Sequence, residues 1–369
     1  MDEIDWSHRL IGIKGSRGVG KTTFLLQYAK EKFDTDRCCL YINFNNFYFT
    51  EHSLVCFAEQ FYRQGGRTLL IDQTFKYENW SKELRECYDR FPDLHIVFSG
   101  SSVMRLIEDN HDISDVVSVY NLRGFSFREY LNFYTDSNFS AYTLDEILKN
   151  HVQIAQEITS TARPLDHFGA YLHHGYYPFF MEKRNFSENL LKTMNMMLEV
   201  DILLIKQIEL KYLSKIRKLM YMLMCTAPSA PNVSSLSIEI ETSRATIMNY
   251  IKYLKDARLL NLLYDAGDDF PKKPNLVYVH NSNLMHAIAP GNVDKATERR
   301  TFLYNALHAQ HKVNTGKMQA DFCADRQYNF VYQSHRQQNK QNPKLYYAMD
   351  DIEVGFENEI PLWLLGFLY

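Results

Sequence analysis

The residues best placed to do chemistry lie near the start of the chain. Gly15, Ser16, Arg17, Gly18, Val19, Gly20, Lys21, Thr22 and Thr23 carry the spacing G-x-x-x-x-G-K-T, the Walker A pattern. Its glycines let main-chain N–H groups curl around an anion. A helix opening at this point would add the positive end of its dipole. Lys21 supplies a point charge for the terminal phosphates, and the Thr22 hydroxyl a ligand for Mg²⁺. The expected ligand is a nucleoside triphosphate, read here as ATP with Mg²⁺. A second acid belongs with this loop. Leu69, Leu70 and Ile71 run into Asp72, the form of a Walker B strand ending at the edge where open α/β sheets bind ligands. Asp72 would hold Mg²⁺ through water. Gln73 follows, at the position where a glutamate would polarise the attacking water. An amide accepts a hydrogen bond but cannot take the proton, so hydrolysis is expected to be slow. The apolar run Ile96, Val97, Phe98 ends in Ser99, Gly100, Ser101 and Ser102. A strand there, between the phosphate-loop strand and the Asp72 strand, would bring Ser99 near the terminal phosphate as a sensor. Ser101 and Ser102 serve equally well as helix N-caps.

These residues need a parallel sheet to hold them. Residues 9–14 read as a strand and 23–33 as an amphipathic helix, so the phosphate loop falls between strand and helix, the context its chemistry requires. Residues 38–44 predict the second strand and 51–63 a helix; 68–72 the third strand and 80–91 a helix; 94–99 the fourth strand and 116–121 the fifth. Apolar runs this continuous suit strands buried on both faces, and their alternation with helices predicts an α/β fold with a parallel sheet.

The motifs GSRGVGKTT, LLIDQTFKYENW, IVFSGSS, LRGFSFREYL, HGYYPF and IPLWLLGFLY together resemble a prokaryotic family of AAA+-type ATPases. In that family an ATPase domain precedes a winged helix and a PD-(D/E)xK nuclease-like domain of unknown function. The resemblance covers nearly the whole chain, most strongly residues 9–130 and the C-terminus. It implies a P-loop sheet of the ASCE/AAA type and a regulatory or mobile-element-associated ATPase. The family pattern has a glutamate after the Walker B aspartate, where this chain has Gln73. It also has arginines shortly before the fifth strand, whereas Ile113, Ser114, Asp115, Val116 and Val117 stand here. Arg105 and Arg123 are the nearest substitutes, and each reads equally well as a surface salt-bridge residue.

Beyond the first domain, helices are expected at 126–134, 143–159, 167–174, 189–208 and 213–225. His173 and His174 have no partner cluster in sequence, so a metal is not expected there. Residues 233–241 and 243–256 read as two helices joined by a tight turn at Thr242, and 259–264 with 276–279 as wing strands: a winged helix-turn-helix. Ile247, Tyr250, Ile251 and Leu254 mark the buried face of the second helix. Arg244, Asn249, Lys252 and Lys255 fall on its exposed side, where a DNA major groove would meet them. Glu239, Glu241 and Asp256 dilute that charge, and the alternative is a structural winged helix making protein contacts. For the nuclease-like end, the resemblance implies Glu298 and Asp321 as the first two metal-site acids. The third motif should lie within 329–340, which holds Lys340 but no acid. Metal-dependent cleavage is therefore not expected.

Composition narrows the remainder. The chain has 369 residues, 46% hydrophobic and 23% charged, with a formal net charge of -3. That balance fits a globular protein of two or three domains and argues against a general polyanion binder. The six cysteines lack zinc-site spacing and read as free thiols in a reducing compartment. The acidic start predicts no secretory leader, and no apolar stretch approaches the ~20 residues that span a bilayer. The expectation is a cytoplasmic protein without membrane contact. Its domains would be an ATPase at 1–135, a helical and winged-helix part at 136–290 and a degenerate nuclease-like part at 291–369. Three activities fit this reading: a slow ATP hydrolase whose nucleotide state switches the other domains, a non-hydrolysing ATP-binding scaffold, or a DNA-binding regulator. The partners considered are ATP, DNA through the winged helix, and a protein partner or second copy of the chain.

Overall fold

Successive side chains of a strand point to opposite faces of its sheet, and in the first part of this chain both faces are apolar. Leu10, Leu69, Ile71, Ile96 and Phe98 face one core, together with Leu54, Ala58, Trp80, Leu84 and Cys87. Ile11, Ile13, Leu70 and Val97 face a second core with Leu25 and Tyr28. Such strands are stable only between two layers of helices. The computed structural model, which describes residues 1, 4–182, 185–335 and 342–369, shows that arrangement. Strands β1 (Leu10–Gly15), β2 (Cys39–Asn43), β3 (Thr68–Asp72), β4 (His95–Ser101) and β5 (Ser118–Asn121) alternate with helices α1 (Lys21–Lys32), α2 (Leu54–Arg63) and α3 (Trp80–Arg90). They form one sheet in the order β2-β3-β4-β1-β5. Every pairing is parallel, with Leu10 opposite Ile96, Thr68 opposite His95, Cys39 opposite Thr68 and Ile11 opposite Ser118.

The chain divides into two compact units. The first is Met1–Gly124 with a returning segment, Glu199–Ile208; the second is Phe125–Leu198 with Glu209–Tyr369. The second unit begins with α4 (Phe127–Thr135), α5 (Leu144–Thr161) and α6 (Pro164–His174). Ser126 and Thr143 close capping boxes with Glu129 and Glu146, which satisfies first-turn N–H groups and fixes where α4 and α5 start.

Residues 189–208, expected as one long helix, are helical without a break through Ile205, with a π-helical stretch inside. Helix α7 (Phe186–Met196) widens into a π-helical stretch at Met197–Ile202, followed by the single turn α8 (Leu203–Ile205). The chain leaves the second unit for the first at Glu199. Leu190, Met194, Ile202 and Leu203 are all buried, and Ile205 packs against the core of the first unit. A periodicity shows that a side is buried, not against what.

The second unit continues with α9 (Leu213–Thr226), α10 (Val233–Glu239) and α11 (Arg244–Asp256). The hairpin β6 (Leu260–Leu263) and β7 (Leu276–Val279) follows, and Val277 also bridges to Ser229. After α12 (Ser282–Ile288) and α13 (Lys295–Leu307) come β8 (Val313–Thr315), β9 (Phe322–Ala324), β10 (Tyr328–Gln333), β11 (Leu345–Met349) and β12 (Glu359–Pro361). They form a mixed sheet in the order β12-β11-β10-β9-β8. The closing apolar segment, with Trp363, Leu365 and Phe367, is buried in the core that also holds Phe127, Phe168 and Phe302. Among the described residues no helix is long and apolar enough to cross a membrane.

Candidate nucleotide site

The sheet order sets β4 between β1 and β3, so the carboxyl ends of these three strands share one edge. From β1 the chain turns through Gly18 (φ 86°) and Gly20 (φ 97°) into α1. A side chain is strained in that left-handed region, which is why glycine stands at both positions. Gly20 is the N-cap of α1 and offers no side chain to it. The first-turn N–H groups are thus left for a ligand, at the positive end of the helix dipole. Lys21 folds back over the loop, and its Nζ donates to the carbonyls of Gly15 (2.9 Å) and Ser16 (2.8 Å). Enclosure by the loop pushes the Lys21 pKa down to about 8, with Arg17 adding to the fall while the carboxylates of Asp201 and Asp72 oppose it. Val19 and Ser16 are buried beneath the loop. Thr23 lies exposed on the first turn of α1.

Asp72, at the end of β3, is buried and receives hydrogen bonds on both oxygens. Oδ2 accepts from the Thr22 hydroxyl at 2.7 Å and from the Tyr41 hydroxyl at 2.9 Å. Oδ1 accepts from the Gln73 N–H at 2.9 Å and from the Ser99 hydroxyl. The Ser99 oxygen in turn accepts from the same Gln73 N–H at 3.0 Å. Gln73 therefore sits with its backbone doubly held, in a left-handed conformation (φ 57°, ψ 46°). Thr22, Asp72, Gln73 and Ser99, distant in sequence, meet in one corner. Arg105 is elsewhere, paired with Asp109 (3.7 Å) and Glu108 (3.9 Å) on its own loop.

Two participants were not singled out from the sequence. Tyr41 stands on β2 opposite Leu70, two positions before Asn43, which is the residue opposite Asp72. Asp201 gave no local signal. Its carboxylate meets Arg17 at 2.7 Å across 184 residues of sequence. Arg17 retains a buried Nε with no acceptor among the described residues. A free guanidinium donor beside the uncapped start of α1 fits the oxygens of a phosphate.

The strand order, the glycine loop opening a helix and the threonine–aspartate corner are those of a P-loop NTPase fold. Residues 7–131 match the sequence model of a family described as an AAA domain. The chain is 27% identical over 276 residues to the uncharacterized protein MJ1637 of Methanocaldococcus jannaschii, an alignment covering 70% of this chain and 57% of that protein. It thus spans little more than half the length of that relative. Among solved structures it is similar to the Aeropyrum pernix ORC1 protein in complex with DNA (TM-score 0.33, 10% identity, 76% of this chain and 86% of that one). It is also similar to AMPPCP-bound DnaA from Aquifex aeolicus (TM-score 0.26, 15% identity, 67% of this chain and 81% of that one).

The other expected sites lie in the second unit. On α11, Arg244 and Asn249 are exposed, and the Lys252 ammonium lies 4.7 Å from the centre of the Phe270 ring. Glu298, on α13, bonds His286 at 2.6 Å and also Arg299. Asp321, just before β9, bonds Arg300 at 2.8 Å and accepts from the Tyr332 N–H at 2.7 Å. Asp350, not singled out from the sequence, follows β11 and holds Arg299 at 3.1 Å. Lys340 lies outside the described residues. His173 and His174 have pKa values lowered by burial. Among the described residues no cluster of three His, Cys, Asp or Glu could hold a metal.

Proposed function

We propose that residues 15–23 bind ATP together with Mg²⁺ and that the chain hydrolyses it slowly. The observation that carries this reading is the 2.7 Å hydrogen bond from Thr22 to Asp72. It brings a hydroxyl and a carboxylate oxygen together at the mouth of the phosphate loop, which is the donor set a hard divalent cation takes. Mg²⁺, when bound, supplies charge neutralisation at the phosphates. The protein's own residues do the rest. Lys21, Arg17 and the first-turn N–H groups of α1 bind the phosphates. Thr22 and Asp72 hold the metal. Ser99 fixes Asp72 and the Gln73 backbone, and the Gln73 amide can orient a water without accepting its proton. Residues 1–135 would then be the ATPase part of a chain continuing through a helical, winged-helix part at 136–290 and a degenerate nuclease-like part at 291–369. The exposed Arg244 and Asn249 on α11 support a second reading, a DNA-binding regulator that uses ATP as a structural ligand. A non-hydrolysing scaffold, acting through a protein partner or a second copy of the chain, is the remaining alternative.

Calorimetric titration with ATP and Mg²⁺ tests the binding site. Lys21→Ala should weaken binding at least about tenfold, roughly 1.4 kcal/mol, through loss of a charge-assisted contact. The same titration should depend on pH. With the Lys21 pKa pushed down to about 8, the ammonium is charged below that value, and bound phosphate would hold its proton on. Affinity should be full below about pH 8 and fall by up to about tenfold per unit above it. A Lys21→Ala protein that binds as tightly as the unmodified chain would remove the assignment.

A further inference from the structure

The segment Glu199–Ile208 is the one stretch of the later chain that belongs to the first unit. Ile205 packs against the core formed by Leu10, Ile42, Ile71 and Phe98. Asp201 reaches the phosphate loop, its Oδ1 2.7 Å from Arg17 NH2. The Asp201 side chain is only 4% exposed and that of Arg17 27%, so the pair is largely withdrawn from water. The Asp201 carboxylate also bears on Lys21, where it favours the charged ammonium against the effect of burial. A carboxylate is thus buried amid the two side-chain cations that nucleotide phosphates would use.

We propose that Asp201 and the phosphates of a bound nucleotide compete for the cations of this loop, so that nucleotide binding loosens the docking of segment 199–208. This rests on the reading of the loop as a nucleotide site. Three physical points support it. A triphosphate brings several negative charges next to a buried carboxylate, and like charges at short range in a partly dry site repel strongly. Arg17 still has an unpaired buried Nε, so its guanidinium can take a phosphate oxygen through its planar fork. As it turns to do so, its bond to Asp201 is strained or lost. Breaking one side of a buried ion pair is costly, and undocking Asp201 into water relieves that cost. The segment continues α7 through the π-helical stretch Met197–Ile202, whose wider turns depart from regular α-helical hydrogen bonding. Its flanks, up to Leu198 and from Glu209, belong to the second unit. A change in its docking is therefore passed on by chain continuity.

The test measures two quantities in the full chain: the Kd for ATPγS with Mg²⁺ by calorimetry, and amide hydrogen exchange across residues 199–208. Asp201→Asn removes the competing charge at constant shape. It should tighten nucleotide binding about tenfold and raise exchange in 199–208 without nucleotide to the level the unmodified chain reaches only with it. Asp201→Glu keeps the charge and should restore both readouts toward those of the unmodified chain. Mere loss of structure cannot tighten binding, so a folding defect does not imitate this result. Unchanged or weaker nucleotide binding by the Asp201→Asn variant, or exchange in 199–208 that does not respond to nucleotide, overturns the competition while leaving the nucleotide site standing. An unmodified chain that binds no nucleotide overturns both.

Discussion

At the scale of single residues, the proposed hydrolysis turns on position 73. Its backbone N–H is held by Asp72 at 2.9 Å and Ser99 at 3.0 Å, so exchanging the Gln73 amide for a carboxylate leaves the main-chain geometry in place. Binding should rest on Lys21, Thr22 and Asp72, none of which changes. What the carboxylate adds is a proton acceptor for the attacking water, a contribution of roughly 10²–10⁴-fold, or about 3–5 kcal/mol of barrier. Gln73→Glu should therefore raise steady-state ATP turnover by about that factor with little change in Kd, because the added group acts mainly in the transition state. Two results would change this reading. A glutamate variant that stays inert would make the absence of an arginine from residues 113–117 the limiting defect and favour the scaffold. A glutamine protein that already turns over at ~1 per second or more would mean that another residue is the base.

At the scale of elements, the acids expected of a nuclease-like end are already engaged by cationic side chains. Glu298 on α13 is tied to Arg299 and His286, and Asp321 beside β9 to Arg300. A carboxylate bound to a guanidinium must exchange that partner before it can ligate a metal. Plasmid and single-stranded DNA incubated with the protein in Mg²⁺ or Mn²⁺ should stay intact, and cleavage that vanishes in an Asp321→Ala variant would contradict this. The same two units show why some elements were legible and others not. The strands of the first sheet stand within two residues of their expected ends, since runs such as Leu69, Leu70 and Ile71, buried on both faces, have few other ways to fold. The phosphate loop was legible because its chemistry is local. The corner it forms with Asp72 and Ser99 followed once β4 was placed between β1 and β3. The 189–208 helix was legible through Ile205, but its periodicity carries no sign of the π-helical stretch at Met197–Ile202 or of the change of unit at Glu199. Asp201 was invisible because its partner is 184 residues away. β8, β9 and β12 have three residues each, too few to show any period.

At the scale of the whole molecule, charge bears on whether the chain meets DNA. The net charge of -3 provides no general attraction to a polyanion, so any duplex affinity must come from a local patch. The available patch is α11, with Arg244, Lys252 and Lys255. Its surroundings reduce it: Lys218 pairs with Glu239 at 2.7 Å, and Lys252 lies over the Phe270 ring. Three cations releasing counterions give a slope of log affinity against log salt of at most about -3, and loss of one should reduce its magnitude by about 1. If the regulator reading holds, duplex binding measured by fluorescence anisotropy should fade steeply between about 50 and 200 mM salt, and Arg244→Ala should flatten that slope without changing the Kd for ATP. An undetectable affinity even at the low-salt end would leave α11 as a protein-facing helix. The exposed Arg244 and Asn249 would then belong to a contact with another polypeptide, and the ATP site would act through that partner rather than through DNA.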